Sequence, residues 1–216
     1  MPDLSSQRNK KHLMKLTPEQ HQYLDKLRED IRFSAHLRAH HYQFRSTWGL
    51  FSPKGIDEGS QLLLDHLEIR RDERAVDLGC GYGPLGLVIA REAPEGYCAL
   101  VDKDFVAVEY SRINAELNGI PNTETFLSNG FSHVDQRPLS LVVSNLPAKT
   151  GKELYYLYFY DALSRLEPGG RFYVVVINGL RKFIARAFTE VFGNHKKLKQ
   201  GKTYTVAVAR IEKDTP

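Results

Sequence analysis

The sequence predicts an α/β fold, with a mostly parallel β-sheet and helices packed on both of its faces. Three observations carry this expectation. From Arg74 onward, short apolar runs alternate with stretches of helical length, the pattern of parallel strands joined by crossover helices. A glycine-rich turn, Asp77-Leu78-Gly79-Cys80-Gly81-Tyr82-Gly83, separates the first apolar run from a predicted helix. Glycine has no Cβ and tolerates positive φ, so such a turn lets backbone approach a ligand closely. Finally, 216 residues with 42% hydrophobic and 26% charged side chains suit one α/β domain with a modest appendage, and do not suit a disordered chain.

The elements follow in order. A basic tail, Gln7 to Lys15, leads to a helix start at Thr17-Pro18-Glu19-Gln20, with Thr as N-cap, Pro at the first helical position and Gln three residues after the cap. The helix is expected to run to about His41, making residues 1–45 a basic helical extension. His36 and His40 would then lie one turn apart. No H-E-x-x-H pattern or cysteine supports them as metal ligands, so surface-facing rings are favoured and no metal site is assigned. Glycine and proline between Trp48 and Ser60 mark a loop, and Leu62, Leu63, Leu64 and Leu67 suit a helix after it. Strands are expected near 74–78, 97–102, 123–128, 139–144, 171–178 and 203–210, and helices near 84–93, 104–118, 151–166 and 180–192. Lys196 to Lys202 reads as a basic hairpin feeding the last strand.

The glycine turn carries the first chemical signal. The helix behind it is expected to offer unpaired N–H groups to an anion such as a carboxylate. Gly81-Tyr82-Gly83-Pro84-Leu85-Gly86 also fits the dinucleotide fingerprint G-x-G-x-x-G, with Asp102 near the place of its ribose-binding acid. Taken alone, the turn specifies a nucleoside-bearing cofactor. Two further features discriminate. Asp77 two residues before the first glycine gives D-x-G-x-G-x-G, which resembles motif I of the class I S-adenosylmethionine methyltransferases. Leu141-Val142-Val143-Ser144-Asn145-Leu146-Pro147-Ala148, an apolar strand ending in Asn-Leu-Pro-Ala, resembles the Asn-Pro-Pro-aromatic motif of methyltransferases acting on exocyclic or amide nitrogens. An NAD-binding fold has no reason to end its fourth strand this way.

Four segments in order narrow the family: Phe51-Ser52-x-x-Gly55-Ile56-Asp57-x-Gly59-Ser60, the Asp77 loop, Ser144-Asn145-x-Pro147 and Ala148-Lys149-Thr150-Gly151-Lys152-Glu153. Together they resemble the "methyltransferase small" domain, typified by bacterial 16S ribosomal RNA guanine-N2 methyltransferases and their compact archaeal relatives, over roughly residues 45 to 210. The resemblance implies a Rossmann-like class I methyltransferase fold over residues 46–216. That fold has a mostly parallel seven-stranded sheet, helices on both faces and a C-terminal antiparallel hairpin. It also implies S-adenosyl-L-methionine as cofactor. Asp77 and the backbone of Gly79, Cys80, Gly81 and Gly83 would hold its methionine end, with Tyr82 and Lys103 alongside. Asp102 would accept the ribose hydroxyls, Asn129 with Gly130 would meet the adenine edge, and Asn145 would also border the cofactor. Ser52 and Lys54 would cover the cofactor, and Gly59 would allow close packing.

Asn145, Leu146 and Pro147 form the expected catalytic segment. An exocyclic amine is a poor nucleophile while its lone pair is delocalised into the ring. Accepting its two N–H bonds, through the Asn145 amide oxygen and the Leu146 carbonyl, would turn the lone pair toward the methyl group and stabilise the developing positive charge. Leu146 replaces the usual first proline, which loosens the backbone there, and Ala148 replaces the usual aromatic. Trp48, Phe51, Tyr155 or Tyr156 would then supply a stacking face.

Charge is unevenly spread. Residues 1–46 hold nine Lys/Arg against five Asp/Glu, residues 47–180 twelve against eighteen, and residues 181–216 nine against three. Basic flanks around an acidic body point to a polyanionic partner, ribosomal RNA once the motifs are added, although solvated lysines near the termini compete with that reading. No apolar run approaches membrane-span length, the polar N-terminus is no signal peptide, and Cys80 and Cys98 read as free thiols. A cytoplasmic protein is expected, with no membrane contact and no oligomeric state specified. Three functions stay open: an RNA base methyltransferase, favouring a guanine amine of ribosomal RNA; a methyltransferase of a small molecule or protein amide nitrogen; and a non-catalytic RNA-binding relative.

Overall fold

In a strand, successive side chains point to opposite faces, so a sheet covered on both sides needs apolar residues at every position. Residues 74–78, 97–102 and 139–145 come near that requirement, with polar side chains mainly at their ends, and each forms a largely buried strand in the computed structural model, which describes residues 15–212. The chain divides into a unit ending at Asp30 and a body beginning at Ile31. In the first unit, α1 (Pro18–Arg28) has the expected capping box: Thr17 accepts from the Gln20 N–H, and the Gln20 side chain accepts from the Thr17 N–H. None of its residues is buried.

The body runs β1 (Ile31–Leu37), β2 (His40–Ser46), α2 (Glu58–Leu64), β3 (Arg74–Leu78), α3 (Pro84–Glu92), β4 (Tyr97–Asp102), α4 (Phe105–Leu117), β5 (Thr123–Leu127), β6 (Leu139–Asn145), α5 (Lys152–Arg165), β7 (Leu166–Ile177), a 3₁₀ turn (Asn178–Leu180), α6 (Arg181–Phe192), β8 (Lys196–Gln200) and β9 (Tyr204–Arg210). Seven strands form one sheet in the order β5-β4-β3-β6-β7-β9-β8. The strands from β3 to β7 pair in parallel, while β9 pairs antiparallel with both β7 and β8. Alternate residues serve two cores. Ala75, Leu100, Val143 and Val175 face a layer holding α2 and α3 residues, whereas Val76, Val101, Val142 and Val174 face α5 and α6. This is the mostly parallel, doubly covered sheet with a C-terminal antiparallel hairpin that the sequence implied.

The helix expected to reach His41 stops at Arg28. Residues 31–46 form an antiparallel hairpin instead, with Phe33 paired to Phe44 and Ala35 to Tyr42. The physical reason is the period of the apolar positions. Ile31, Phe33, Ala35 and Leu37 recur every second residue, as do Tyr42 and Phe44, and burying that face outweighs helix propensity. The turn contains neither glycine nor proline. Arg38 holds it at φ 53°, and its guanidinium donates to the Leu64 and Leu67 carbonyls, each at 2.7 Å, while pairing with Glu92 at 2.7 Å. His36 and His40 therefore do not lie on one helical face. His36 packs against His41 across the hairpin with ring centroids 4.7 Å apart, and no group of three or more potential metal ligands occurs among the described residues.

The outer edge of β2 is covered by two side-chain amides. Asn118 bonds to both the N–H and the carbonyl of Gln43, and Asn114 does the same for Arg45. Four residues apart on α4, the two asparagines stand in for a neighbouring strand and satisfy an edge that would otherwise be open. The hairpin is thereby fixed over α4, and Phe33 and Phe44 pack on Tyr82 of the glycine turn. No helix among the described residues is long and apolar enough to cross a membrane.

Candidate active site

Strand order reverses at β3, with β4 and β5 to one side and β6 and β7 to the other. In an open parallel sheet such a reversal parts the loops at the carboxyl ends of the strands and leaves a crevice. Here it is a cavity of about 430 Å³, walled by the loops after β3, β4, β5 and β6 and by the segment preceding α2. Of the residues singled out from the sequence, Asp77, Gly79, Cys80, Gly81, Tyr82, Asp102, Lys103, Gly130, Asn145, Leu146 and Pro147 all border it.

The glycine turn forms one wall. Gly79 and Gly81 have φ of 73° and 57°, and a Cβ on either would meet nothing within 4 Å. Gly83 is not a wall residue. It caps α3 at φ 94°, and a Cβ there would press on Leu100, Ser111 and Leu87 at 3.1–3.3 Å. Gly86 is tighter still, 2.6 Å from a Leu100 carbon, so α3 can lie against β4 only without a side chain at that position.

Most of the N–H groups expected to serve an anion are already engaged. Gly79 and Cys80 donate to the Val101 carbonyl at 2.8 and 3.1 Å, and Gly83 donates to the Cys80 carbonyl at 2.9 Å. Gly81 donates to Asp102 Oδ2 at 3.1 Å, and Gly86 to Asp77 Oδ2 at 2.9 Å. Pro84 has no N–H at all. The anion served by this helix start is the protein's own Asp77, and the two carboxylates make this wall a receptor for donors and cations.

Asp77 is fully buried, and its Oδ1 has no hydrogen-bond partner. Burial pushes its carboxyl up to about 7, opposed by the Gly86 N–H and reinforced by the negative charge of Asp102. Asp102 is only half-buried. Each of its oxygens accepts one backbone N–H, from Gly81 and Asp104, and a carboxylate oxygen retains capacity for a second donor. Cys80 and Cys98 are buried free thiols, and burial raises both thiol pKa values far above the ordinary range.

The end of β6 forms the opposite wall. Ser144 donates to the Leu78 carbonyl at 2.7 Å, tying β6 to the root of the glycine turn. The Asn145 amide nitrogen donates to Asp57 Oδ2 and to Ser60 Oγ, both at 3.0 Å. Leu146 does not loosen the backbone where proline is usual. Its N–H donates to the Val175 carbonyl at 3.1 Å, a bond proline cannot make, and its side chain is buried in the α5/α6 core. Tyr155 is buried beneath this turn and donates to the Pro147 carbonyl at 2.5 Å, so it supports the backbone and offers no stacking face.

Several expected residues stand elsewhere. Asn129 is exposed between the wall residues Ser128 and Gly130, and is not itself a wall residue. Ser52 bonds to the Gly55 carbonyl, and Lys54 sits 4.8 Å over the exposed Trp48 ring; neither lines the cavity. Tyr156 binds Glu190 and is likewise outside it. Of the four aromatic candidates, Phe51 alone borders the cavity, and it is 64% exposed. Tyr82 borders the cavity through a buried ring whose hydroxyl donates to the Gly55 carbonyl at 2.9 Å, bracing the covering loop.

Sequence reasoning gives no role to Asp57, Ser60 or Tyr204. Asp57 and Ser60 are visible as an N-cap pattern in the segment from Phe51 to Ser60, and Asp57 does cap α2 through the Gly59 and Ser60 N–H groups. Tyr204 has no signal, because its partner Asp57 lies 147 positions away.

Comparison with known proteins agrees with this architecture. The model of the methyltransferase small domain matches residues 41–208. A Bacillus subtilis relative, the uncharacterized protein YbxB, is 36% identical over 67% of this chain and 73% of its own length. Ribosomal RNA small subunit methyltransferase C of Klebsiella pneumoniae is 34% identical over 70% of this chain and 44% of its own. The T. thermophilus 16S rRNA N2 G1207 methyltransferase, solved in complex with AdoMet and guanosine, superposes with a TM-score of 0.76 at 27% identity, covering 84% of this chain and 50% of that one. The chain thus spans about half the length of these ribosomal RNA methyltransferases. With that match, the expected mostly parallel seven-stranded sheet and the motif residues gathered around one cavity, the chain belongs to the methyltransferase small domain family, whose methyl donor is S-adenosylmethionine.

Proposed function

We propose that this chain transfers a methyl group from S-adenosylmethionine to the exocyclic amine of a guanine in small-subunit ribosomal RNA. The observation that carries the reading is the hydrogen bonding of Asn145. Both of its amide protons are engaged by Asp57 and Ser60, which leaves the Oδ1 acceptor at the cavity wall. An acceptor there suits a nucleophile that bears N–H donors.

The residues present fit the cofactor. The unpartnered Oδ1 of buried Asp77 suits an ammonium group, and the open space beside Gly79 and Gly81 admits a close approach. Asp102, with acceptor capacity on both oxygens, suits a ribose diol. When bound, S-adenosylmethionine supplies a methyl group on a sulfonium, whose leaving group is a neutral thioether. The chain's own work is orientation and charge stabilisation. Asn145 Oδ1 and the Leu146 carbonyl accept the two amine N–H bonds, which directs the lone pair and stabilises the positive charge that forms on nitrogen. Phe51, exposed at the rim, offers a face for the swung-out base in place of the aromatic missing at Ala148. The likeness to the T. thermophilus enzyme supports guanine and its N2 atom as the target.

The test is incubation of the purified chain with isotopically methyl-labelled cofactor and unmodified small-subunit ribosomal RNA, followed by digestion and nucleoside mass analysis. N2-methylguanosine is the expected product. Label in a ring nitrogen, in a ribose or in no nucleoside would overturn the reading.

A further inference from the structure

We infer that Asp57 and Tyr204 are positioning residues that lock the Asn145 amide in one of its two orientations, and so confine the site to nucleophiles that carry N–H donors. The inference rests on the methyl-transfer reading above and adds a device that sets its specificity.

Asp57 is held by four uncharged donors. Its Oδ2 accepts from Gly59 N at 2.9 Å, Ser60 N at 3.1 Å and Asn145 Nδ2 at 3.0 Å, and its Oδ1 accepts from the Tyr204 hydroxyl at 3.0 Å. The second proton of the Asn145 amide goes to Ser60 Oγ at 3.0 Å. Turning the amide over would place its oxygen against the Asp57 carboxylate; the Ser60 hydroxyl can turn to donate to that oxygen, but the bond to Asp57 would be exchanged for two facing acceptors. The lock therefore keeps Oδ1 as the polar atom available to a nucleophile. An exocyclic NH₂ satisfies it, whereas a ring nitrogen or carbonyl oxygen presents a lone pair to a lone pair. The Asp57 charge, applied at the NH₂ end, also polarises the amide and makes Oδ1 a stronger acceptor where positive charge develops.

A second observation shows that the contact is built in. A Cβ on Gly59 would lie 2.8 Å from Asp57 Oδ2 and 2.9 Å from the Tyr204 ring, so that position has no room for any side chain. The lock joins three distant parts of the body. Asp57 precedes α2, Asn145 ends β6, and Tyr204 opens β9 of the C-terminal hairpin. Burial and the hydrogen bond to Asp57 both raise the Tyr204 hydroxyl above its ordinary pKa, which keeps it a donor.

Two conservative variants of the full chain test this. Tyr204→Phe keeps the ring, and Asp57→Asn keeps a good N-cap for α2. With small-subunit ribosomal RNA as substrate, Asp57→Asn should lower kcat about tenfold or more and Tyr204→Phe about threefold, with KM and cofactor affinity changed by less than about twofold. In ¹⁵N spectra, the Asn145 side-chain NH₂, identified by its loss in Asn145→Ala, should exchange slowly with solvent in the parent and faster in Tyr204→Phe. Unchanged kcat, or a loss confined to KM, overturns the inference. If the parent transfers no methyl group to this RNA, the substrate reading fails separately. The lock is then judged on the NH₂ signal: faster exchange in the variant upholds it, and unchanged exchange overturns it.

Discussion

The glycine-turn wall is assembled within one β3-α3-β4 unit, with Asp77 reaching nine positions to cap Gly86 and Gly81 reaching 21 to Asp102, whereas the Asn145 wall depends on Asp57 across 88 positions and, through it, on Tyr204 across 147. The first wall spends most of its backbone donors on the protein itself and presents carboxylates. The second presents one amide oxygen, held by side chains from the two ends of the body. On the proposed reading, cofactor binding and transfer chemistry rest on separate supports, so a substitution in one wall should spare the work of the other.

The largest effect should come from removing the second wall's acceptor. Asn145→Ala should lower kcat about 10²- to 10³-fold, the usual cost of losing one preorganised group that acts on transition-state charge. Cofactor affinity, read by calorimetry, should change by less than about threefold, because no contact of the first wall is touched. Parental turnover in this variant would end the role given to Asn145. The mirror experiment is Asp102→Ala. Losing the two charge-assisted bonds expected at the ribose should weaken cofactor binding about 10- to 100-fold while leaving kcat at saturating cofactor nearly intact. Unchanged affinity would remove Asp102 from the cofactor site.

How legible each wall is follows from the same contrast. Strand β3, the turn and the start of α3 are readable because an apolar run, a cluster of glycines and a proline at a helix start are local marks, even though the turn's own backbone bonds run to Val101 and Asp102. Asn145 is readable because it ends an apolar run. Its supports are not: a serine and an aspartate before a helix look like a cap, which Asp57 also is, and nothing in Tyr204 announces a partner at the other end of the body. The β1/β2 hairpin escapes a sequence reading for a related reason. A strong capping box opens α1, and the turn that follows the first hairpin strand carries Arg38 in a left-handed conformation in place of glycine. The contacts that stabilise that turn, to the Leu64 and Leu67 carbonyls and to Glu92, are tertiary. Asn129 is a weak signal for the opposite reason, since an Asn-Gly pair satisfies a turn whether or not it faces a ligand.

A smaller effect separates the walls by pH. Asp77 titrates near 7 in the folded protein against an ordinary value of 3.8, because burial disfavours its charge. Without cofactor, its contribution to stability is present at low pH and is lost as pH rises through that window, since the folded state holds a proton the unfolded state has released. A bound ammonium reverses the preference and favours the carboxylate. Cofactor binding near pH 6 should therefore release up to one proton, and affinity should fall by at most about tenfold per pH unit below 7. Calorimetry in buffers of differing ionisation enthalpy reads the proton directly, and Asp77→Asn should abolish the release. A pH-independent affinity would show that Asp77 does not meet the ammonium.

The smallest effect concerns a region belonging to neither wall. Of the two basic segments, the one from Arg8 to Lys15 lies outside the described part of the chain except for Lys15 itself, whereas Lys196, Lys197 and Lys199 stand exposed on β8. β8 is a sheet edge, separated from β6 by β7 and β9, and lysines on an edge have a structural use in deterring strand addition by another chain. Phosphate contact is the competing use, because RNA longer than the target nucleotide needs backbone contacts outside the cavity. Replacing all three by Gln tests the two. If they meet phosphates, RNA affinity should fall several-fold at low salt, and the slope of log affinity against log salt should flatten by about 2, near 0.7 per lost contact on single strands. Cofactor affinity and kcat at saturating RNA should not move, since neither wall is touched. An unchanged slope together with a new tendency to self-associate would assign these lysines to edge protection, and would leave RNA held by the rim around Phe51, Lys103 and Lys149.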